Sequence, residues 1–380
     1  MSSAQRPPAF AVGIVVDCPP PRPGRPVWPE YTHSHLCTEP PLPGAQACLL
    51  PANGIDPGAE RARAWWYDGG SASWRSGTIP LPPVLYNRIG RRRVESSRAG
   101  RRLLARLGRR RPLFNRCFLD KGSLYQALRA GSYPALPPFH LLQGDASEAL
   151  AFYRRHRDIY IKPVDGSLGA GLLRLTAHSK GGHRLTQQLA NGLLHSQRLS
   201  DGALFPFFSR LSRRGRYVLQ ATVPLARWSG RPFDLRVLMQ RSPGGQWALT
   251  GVAARVAPPG GIATHTVRGG AALPFEELGT GAGSPLPDQG RVEELARRAC
   301  ETLESEMELR FFELSFDFGV DPRAGLLLLE ANAKPYPFDE EAIRRRAGRN
   351  LFAFAAALAA DPALLRPRRP QRAGSSREEL

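Results

Sequence analysis

The chain has 380 residues, of which 42% are hydrophobic, and a formal net charge of +20. That length and composition suit two or three packed domains rather than a disordered chain, and no apolar run approaches the roughly 18 residues of a membrane span. Five sparse cysteines (Cys18, Cys37, Cys48, Cys117 and Cys300), without CxxC spacing or a neighbouring His pair, argue against structural zinc and for a reducing, cytoplasmic setting.

Residues 1 to about 110 alternate short apolar runs with proline-rich connections. They end in the strand-like Pro83–Asn87 and a very basic stretch, Arg88–Arg111, which together read as a small α/β domain plus a basic linker. From Pro112 the character changes. Asp120 is placed to cap a helix in which Leu124 and Leu128 lie four apart, and Asp145 or Ser147 to cap another running to about His156. Ile159-Tyr160-Ile161 is a short buried-strand signal leading into a glycine-rich loop, and 179–216 reads as helical with an exposed loop. Strands are predicted at 217–223, 235–240, 247–256, 313–320 and 325–332, with a loop at Gly279–Gly290. Between them Arg291–Leu309 is a helix that puts Val292, Leu295, Ala296, Ala299, Leu303 and Met307 on one stripe. An Ala-rich helix from about Glu340 to Ala360 precedes a tail, 366–380, whose Pro, Arg and Ser content predicts disorder.

Of the 53 basic residues only four are lysines, at 121, 162, 180 and 334. Against such an arginine-rich background a lysine marks a place suited to a compact point charge rather than a planar fork, and three of these four lie in segments that read as nucleotide chemistry. The arginine clusters at 91–93, 109–111, 213–214 and 344–346 are scattered and carry no aromatic-interleaved stripe. They favour a solvated surface over a dedicated nucleic-acid site.

Three segments carry chemistry. Lys162 ends a strand and is followed by Pro163 and a loop containing Gly166, Ser167, Gly169 and Gly171. Such a loop offers backbone N–H groups to phosphate oxygens, and the lysine adds charge, although GxxxxGK[ST] is absent. In Glu313–Asn332, alternation leaves Ser315, Asp317 and Gly319 on one face of the first strand and puts Glu330 with Asn332 on one face of the second. A turn at Asp321–Gly325 brings Asp317 opposite or diagonal to Glu330, and Leu326 and Leu328 are expected to share the face of Glu330. Two facing acids with an amide oxygen form a hard-oxygen set suited to Mg²⁺. The third segment is Arg231–Val237, where Asp234 and Arg236 share one side of a strand after Gln220; Arg255 ends the next strand as a further candidate for stabilising negative charge.

The order of these pieces resembles the ATP-grasp superfamily of carboxylate ligases. More closely, "FNRCFLDK", "YIKPVDGSLGAG", "GRPFDLRVLMQ", "GVAARVA" and "LLLEANAKP", with "LPPVLYNRI" upstream, resemble the YheC/YheD-type ATP-grasp proteins associated with the bacterial endospore coat. The resemblance implies an α+β fold in which two lobes clamp ATP, preceded by a smaller α/β domain. The corresponding division is 1–110, 111–216 (lobe with the glycine loop), 217–362 (lobe with the metal site) and a tail, 363–380. It implies that Lys121 and Lys162 contact ATP phosphates beneath the loop Gly166, Ser167, Gly169 and Gly171, that Gln220 lies at the adenine hinge and that Asp234 meets the ribose. Arg236 and Arg255 would neutralise phosphate or acyl-phosphate charge, while Asp317, Glu330 and Asn332 would hold Mg²⁺. The activity implied joins a carboxylate to an amine. The alternative is a non-catalytic coat scaffold that kept the fold and binds an acidic polymer or a coat protein. Gln220 stands where many such ligases have an acid, and the eight histidines, including His265, show no metal spacing.

Overall fold

The computed structural model describes residues 9–17, 35–39, 45–166, 171–179, 181–189, 193–259, 270–280 and 286–365. Ser167, Gly169, Lys180, His265 and the tail expected to be disordered lie outside the described residues.

Three sheets organise the described residues. In the first, Val12–Val16 pairs in parallel with Ala47–Pro51 on one side and Val84–Asn87 on the other, and Leu113–Phe114 extends the parallel run. Every residue of Val12–Val16 is buried, as a parallel strand covered on both faces requires. An antiparallel hairpin, Arg61–Asp68 with Ser73–Pro80, completes this sheet together with Ile55–Asp56. The stretch Arg88–Arg111, expected to be a linker, is instead largely helical. Ser97 caps Arg98–Arg110 by accepting from the Gly100 amide, and Leu104 and Leu107 bury into the core under the sheet. Gly100 is needed there, because a Cβ would lie 2.2 Å from the Val94 carbonyl oxygen.

The second sheet is six-stranded and antiparallel, in the order Leu194–Leu199, His183–Gln188, Leu173–Ala177, Asp158–Pro163, Tyr217–Ala221, Phe139–Leu142. Two of these strands correct the expectation of helix across 179–216. The helix in that region is confined to Asp201–Arg214. Tyr217–Ala221, expected in the following lobe, hydrogen-bonds to Asp158–Pro163 and so belongs to the glycine-loop sheet. Asp145, rather than Ser147, caps helix Ala146–His156 by accepting from the Ser147 amide at 2.7 Å.

The third sheet runs Ala271–Pro274, Trp247–Val256, Arg231–Arg241, Glu313–Asp321, Gly325–Asn332. One face packs Phe233, Leu235, Val237, Met239, Leu314, Phe316 and Phe318 against helix Gln289–Met307, whose Val292, Leu295, Ala296, Ala299 and Leu303 are buried along the expected stripe. Helix Lys121–Ala130 joins this same core through Leu124, Tyr125 and Leu128, although its sequence position suggested the other lobe. Asp120 caps it, accepting from the Ser123 amide at 2.9 Å. The final helix, Glu341–Ala360, buries Leu351, Phe352, Phe354, Ala355 and Leu358 beside Phe114 and Phe312, and this ties the end of the chain to the first sheet. No described helix is long and apolar enough to cross a membrane.

Candidate functional site

The opposite face of the third sheet is polar at one end. Antiparallel register places Arg236 beside Asp317, and Asp317 in turn directly opposite Glu330; Ser315 faces Asn332. The ladder shifts between Asp317 and Phe318, so that Phe318 pairs with Leu328 and Leu329 is the extra residue of a bulge. This corrects the expectation that Leu326 and Leu328 share the face of Glu330. Both are buried in the core with Phe318, and the bulge turns Glu330 away from them toward Asp317.

Arg255 sits between two acids. Its guanidinium donates to both carboxylate oxygens of Asp234, at 2.8 and 2.7 Å, and pairs with Asp317 Oδ2 at 2.8 Å. Burial alone would favour loss of its proton, but Asp234 and Asp317 overcome this and hold it charged. The Asp234 carboxylate, expected to meet a ribose, is engaged by Arg255 in this arrangement. The other oxygen of Asp317, Oδ1, is buried without a hydrogen-bond partner among the described residues, as is Ser315 Oγ. A buried carboxylate oxygen left unpaired is costly, and a bound cation removes that cost. Among the described residues no three His, Cys, Asp or Glu side chains cluster as metal ligands. A divalent ion here would rest on Asp317, Glu330 and the Asn332 amide oxygen. The residues present fit Mg²⁺.

The glycine-loop sheet supplies the facing cations. Lys162 ends strand Asp158–Pro163, and its Nζ donates to Gln220 Oε1 and to the Leu329 carbonyl at 3.4 Å. Burial, reinforced by the charge of Lys121, pushes the Lys162 ammonium down to about 8 against the pull of Glu330, Asp317 and Asp234. Lys121 Nζ donates to the Gly166 carbonyl at 2.6 Å and to Glu330 at 3.2 Å, linking the start of the loop to the third sheet. Gly171, at the far end of the loop, has φ +73, a conformation that disfavours side chains. Gln220 is 2% exposed, and its amide oxygen accepts from both Lys162 and the Tyr125 hydroxyl, the latter at 3.0 Å. Its side chain thus ties Lys162 to Tyr125 at the strand expected to form the adenine hinge. Arg236 donates to the Tyr336 carbonyl at 2.7 Å and lies 4.6 Å from the Phe338 ring centroid; burial lowers its proton affinity while Asp317 raises it.

Arg236 and Arg255 thus lie beside the carboxylates Asp234, Asp317 and Glu330 on the third sheet, while Lys162 from the second sheet and Lys121 from helix Lys121–Ala130 approach the same acids. The local balance is positive, and two of the acids are directed at each other. That combination suits a polyanion accompanied by a divalent cation.

A family model described as "YheC/D like ATP-grasp" matches residues 110–358. The chain belongs to that family. It is 28% identical over 274 residues to the endospore coat-associated protein YheD of Bacillus subtilis (strain 168), a match covering 69% of this chain and 58% of that protein. The chain therefore spans less than two thirds of that relative's length. Among solved structures it resembles the ATP-grasp ligase PsnB in complex with precursor peptide PsnA2 and AMPPNP. The TM-score is 0.51 at 13% identity, covering 94% of this chain and 100% of that one. It also resembles D-alanyl-alanine synthetase A from Vibrio cholerae O1 biovar eltor str. N16961. There the TM-score is 0.55 at 11% identity, covering 94% and 98%. The fold is ATP-grasp.

Two features escaped the sequence reading. Asn115, inside "FNRCFLDK", adopts φ 51 and is fully buried. Its amide group donates to the carbonyls of Glu313 and Ala333 and accepts from the Phe312 and Glu313 amides, clamping the two strands that carry Asp317 and Glu330. The isolated Asn before a basic residue was the only signal. The second is Lys334, which donates to Glu95 and to the Ile89 carbonyl at 3.2 Å, away from the charged face. Only its position in the conspicuous Ala-Lys-Pro had suggested nucleotide chemistry. The cluster 344–346, read as solvated, is partly tethered: Arg344 donates to the Phe338 carbonyl and Arg346 to that of Thr250, both at 3.0 Å.

Proposed function

We propose that this protein is an ATP-dependent carboxylate–amine ligase. The observation that carries the reading is the convergence of Lys121, Lys162, Arg236 and Arg255 on the facing acids Asp317 and Glu330, with Asp317 Oδ1 unpaired among the described residues. Lys121 and Lys162 bind the ATP phosphates from the glycine-loop side, and Arg236 and Arg255 balance charge on the transferring group. Mg²⁺, held by Asp317, Glu330 and Asn332, would supply charge neutralisation at the phosphate oxygens. A substrate carboxylate oxygen attacks the γ-phosphorus, ADP departs and an acyl phosphate remains. The amine then attacks the acyl carbon, phosphate leaves, and the amine gives up a proton. Positioning and electrostatics suffice for the phosphoryl step, so no Ser, Cys or His nucleophile is required.

Calorimetry with AMPPNP tests this: binding that depends on Mg²⁺ is the expected result, followed by ADP release from ATP in the presence of a carboxylate and an amine. Absence of binding at millimolar nucleotide would remove the basis of the proposal. A second role, docking to an anionic polymer of the spore coat, has one observation in its favour. Helix Arg98–Arg110 exposes Arg98, Arg101, Arg102, Arg106, Arg109 and Arg110, and contains no acid. The two roles are compatible.

A further inference from the structure

The charges of helix Arg98–Arg110 work against the helix. Arg98, Arg102, Arg106 and Arg110 follow one another at intervals of four, so each stands about 6 Å along one row from the next, and like charges so placed repel. Arg98 also lies at the positive end of the helix dipole. Cations in a last turn do suit that dipole, which accounts for Arg109 and Arg110 but not for the rest of the row.

At its C-terminal end the row meets a groove. The groove has a volume of about 420 Å³ and is lined by Arg106, Arg109 and Arg110 from the helix and by Pro57 and Gly58 from the turn between strands Ile55–Asp56 and Arg61–Asp68. That is within the range of small-molecule sites, roughly 300–1,000 Å³.

The acids beside the groove are already engaged. Asp56 Oδ1 accepts from the Gly58 and Ala59 amides at 2.8 and 3.1 Å, which folds it into its own turn. Glu60 accepts from Arg110 at 2.9 Å and from Arg111 at 2.6 Å, and these two guanidinium groups hold its carboxyl below the usual range. Arg106 and Arg109 are exposed and have no hydrogen-bond or ion-pair partner among the described residues. The groove thus presents two uncommitted guanidinium groups and a third fixed by Glu60.

Each guanidinium offers N–H donors in a planar fork and keeps its charge. A lone carboxylate, with one charge and two oxygens, satisfies one such fork. A phosphate group brings up to two charges and three acceptor oxygens, which suits several forks around one space. No aromatic side chain lines the groove, so nothing there stacks a nucleobase.

We propose that this groove binds a small phosphate-bearing ligand, without regard to a base, at a site built from residues that the cleft between the second and third sheets does not use. The proposal sharpens the anionic role suggested above for this helix, on which it rests, and is independent of the ligase reading.

Calorimetry on the full chain in EDTA tests it, because Mg-dependent binding in the cleft is then suppressed. Tripolyphosphate should bind, and Arg106→Gln combined with Arg109→Gln should weaken it at least about tenfold. Lys162→Met should change it by no more than about twofold. With Mg²⁺ restored, the double variant should bind AMPPNP within about twofold of the parent, which reports that it folds. Ribose 5-phosphate separates the sources of the phosphate: weaker binding than tripolyphosphate assigns the groove to an oligophosphate, and tighter binding to an organic phosphate ester. The proposal is overturned if neither probe binds, if binding survives in the double variant, or if Lys162→Met abolishes it. Polyglutamate that binds as tightly as the phosphate probes would also overturn it, by showing an unselective cationic face, and would leave the polymer-docking role in place. Failure of AMPPNP to bind the parent protein would remove the ligase reading and leave the result in EDTA standing.

Discussion

Two regions of the molecule bury a lysine, and burial pushes both ammonium groups down to about 8. In the cleft, Lys162 donates to neutral acceptors, the Gln220 amide and the Leu329 carbonyl. At the seam between the first sheet and the end of strand Gly325–Asn332, Lys334 is paired with Glu95, and its ammonium lies 4.3 Å from the Phe118 ring centroid. Glu95 is further held by Asn87 at 2.8 Å and by the Phe118 amide at 2.9 Å. A depressed lysine alone therefore does not identify a site. What differs is the contact: a carboxylate pairs directly with Lys334, whereas Lys162 donates to neutral acceptors while Glu330, Asp317 and Asp234 act on it from farther off, which suits the phosphate contact proposed for it.

The largest effect that separates the two regions is on stability. Lys334→Met removes the cation but leaves Glu95 buried, so the protein should lose about 3–5 kcal/mol in chemical denaturation, with AMPPNP affinity held within about twofold. Adding Glu95→Gln should recover much of the loss, because the pair is then neutral on both sides. A lost nucleotide site with unchanged stability would reverse the assignment of the two lysines.

Next in size is a change confined to the cleft. Glu330→Gln keeps the shape but removes a charge that faces Asp317 and contacts Lys121. Turnover should fall by roughly two to three orders of magnitude, or about 3–4 kcal/mol, and Mg-dependent AMPPNP binding should weaken. The melting temperature of the ligand-free protein should change little or fall slightly, since relief of the repulsion with Asp317 is offset by the lost contact with Lys121. Unchanged turnover would make Glu330 an ordinary partner of Lys121.

How much of this contrast is legible in the sequence depends on how far apart the partners lie along the chain. The Asp317–Glu330 pair could be read because the intervening turn fixes the register of a single hairpin. The bulge at Leu329 could not, because Leu326–Leu329 is an unbroken leucine run in which a one-residue slip leaves the pattern unchanged. Strands His183–Gln188 and Leu194–Leu199 were missed for another reason. His183–Gln188 holds a single apolar residue, Leu185, and residues 194–198 are all exposed, so neither segment carries the apolar alternation that marks a half-buried strand. The pairing of Lys334 with Glu95 spans 239 residues and leaves no local trace. Gln220, conspicuous as a departure from the acid of related ligases, is explained only by its hydrogen bonds to Lys162 and Tyr125.

The smallest effect is the response to pH, and it should have opposite signs in stability and in binding. A lysine in the unfolded chain titrates near about 10.4, whereas Lys162 and Lys334 in the folded chain titrate at about 8. Between these values the unfolded chain holds protons that the folded chain has released, so ligand-free stability rises with pH through that window. Below it both states are protonated, and the cost of burying the charges is present in full. The phosphate contact proposed for Lys162 needs its protonated form. From pH 7 to 9 the charged fraction of a group with pKa 8 falls from about nine-tenths to about one-tenth, so AMPPNP affinity should drop roughly tenfold while the melting temperature climbs. Variants divide the two responses. Lys162→Met should flatten the affinity profile, apart from the titration of the nucleotide itself, and Lys334→Met should leave that profile alone while removing part of the rise in stability. Affinity that stays level from pH 7 to 9 with Lys162 intact would show that its charge does not serve the phosphate, and the contrast between the two lysines would then lose its functional half.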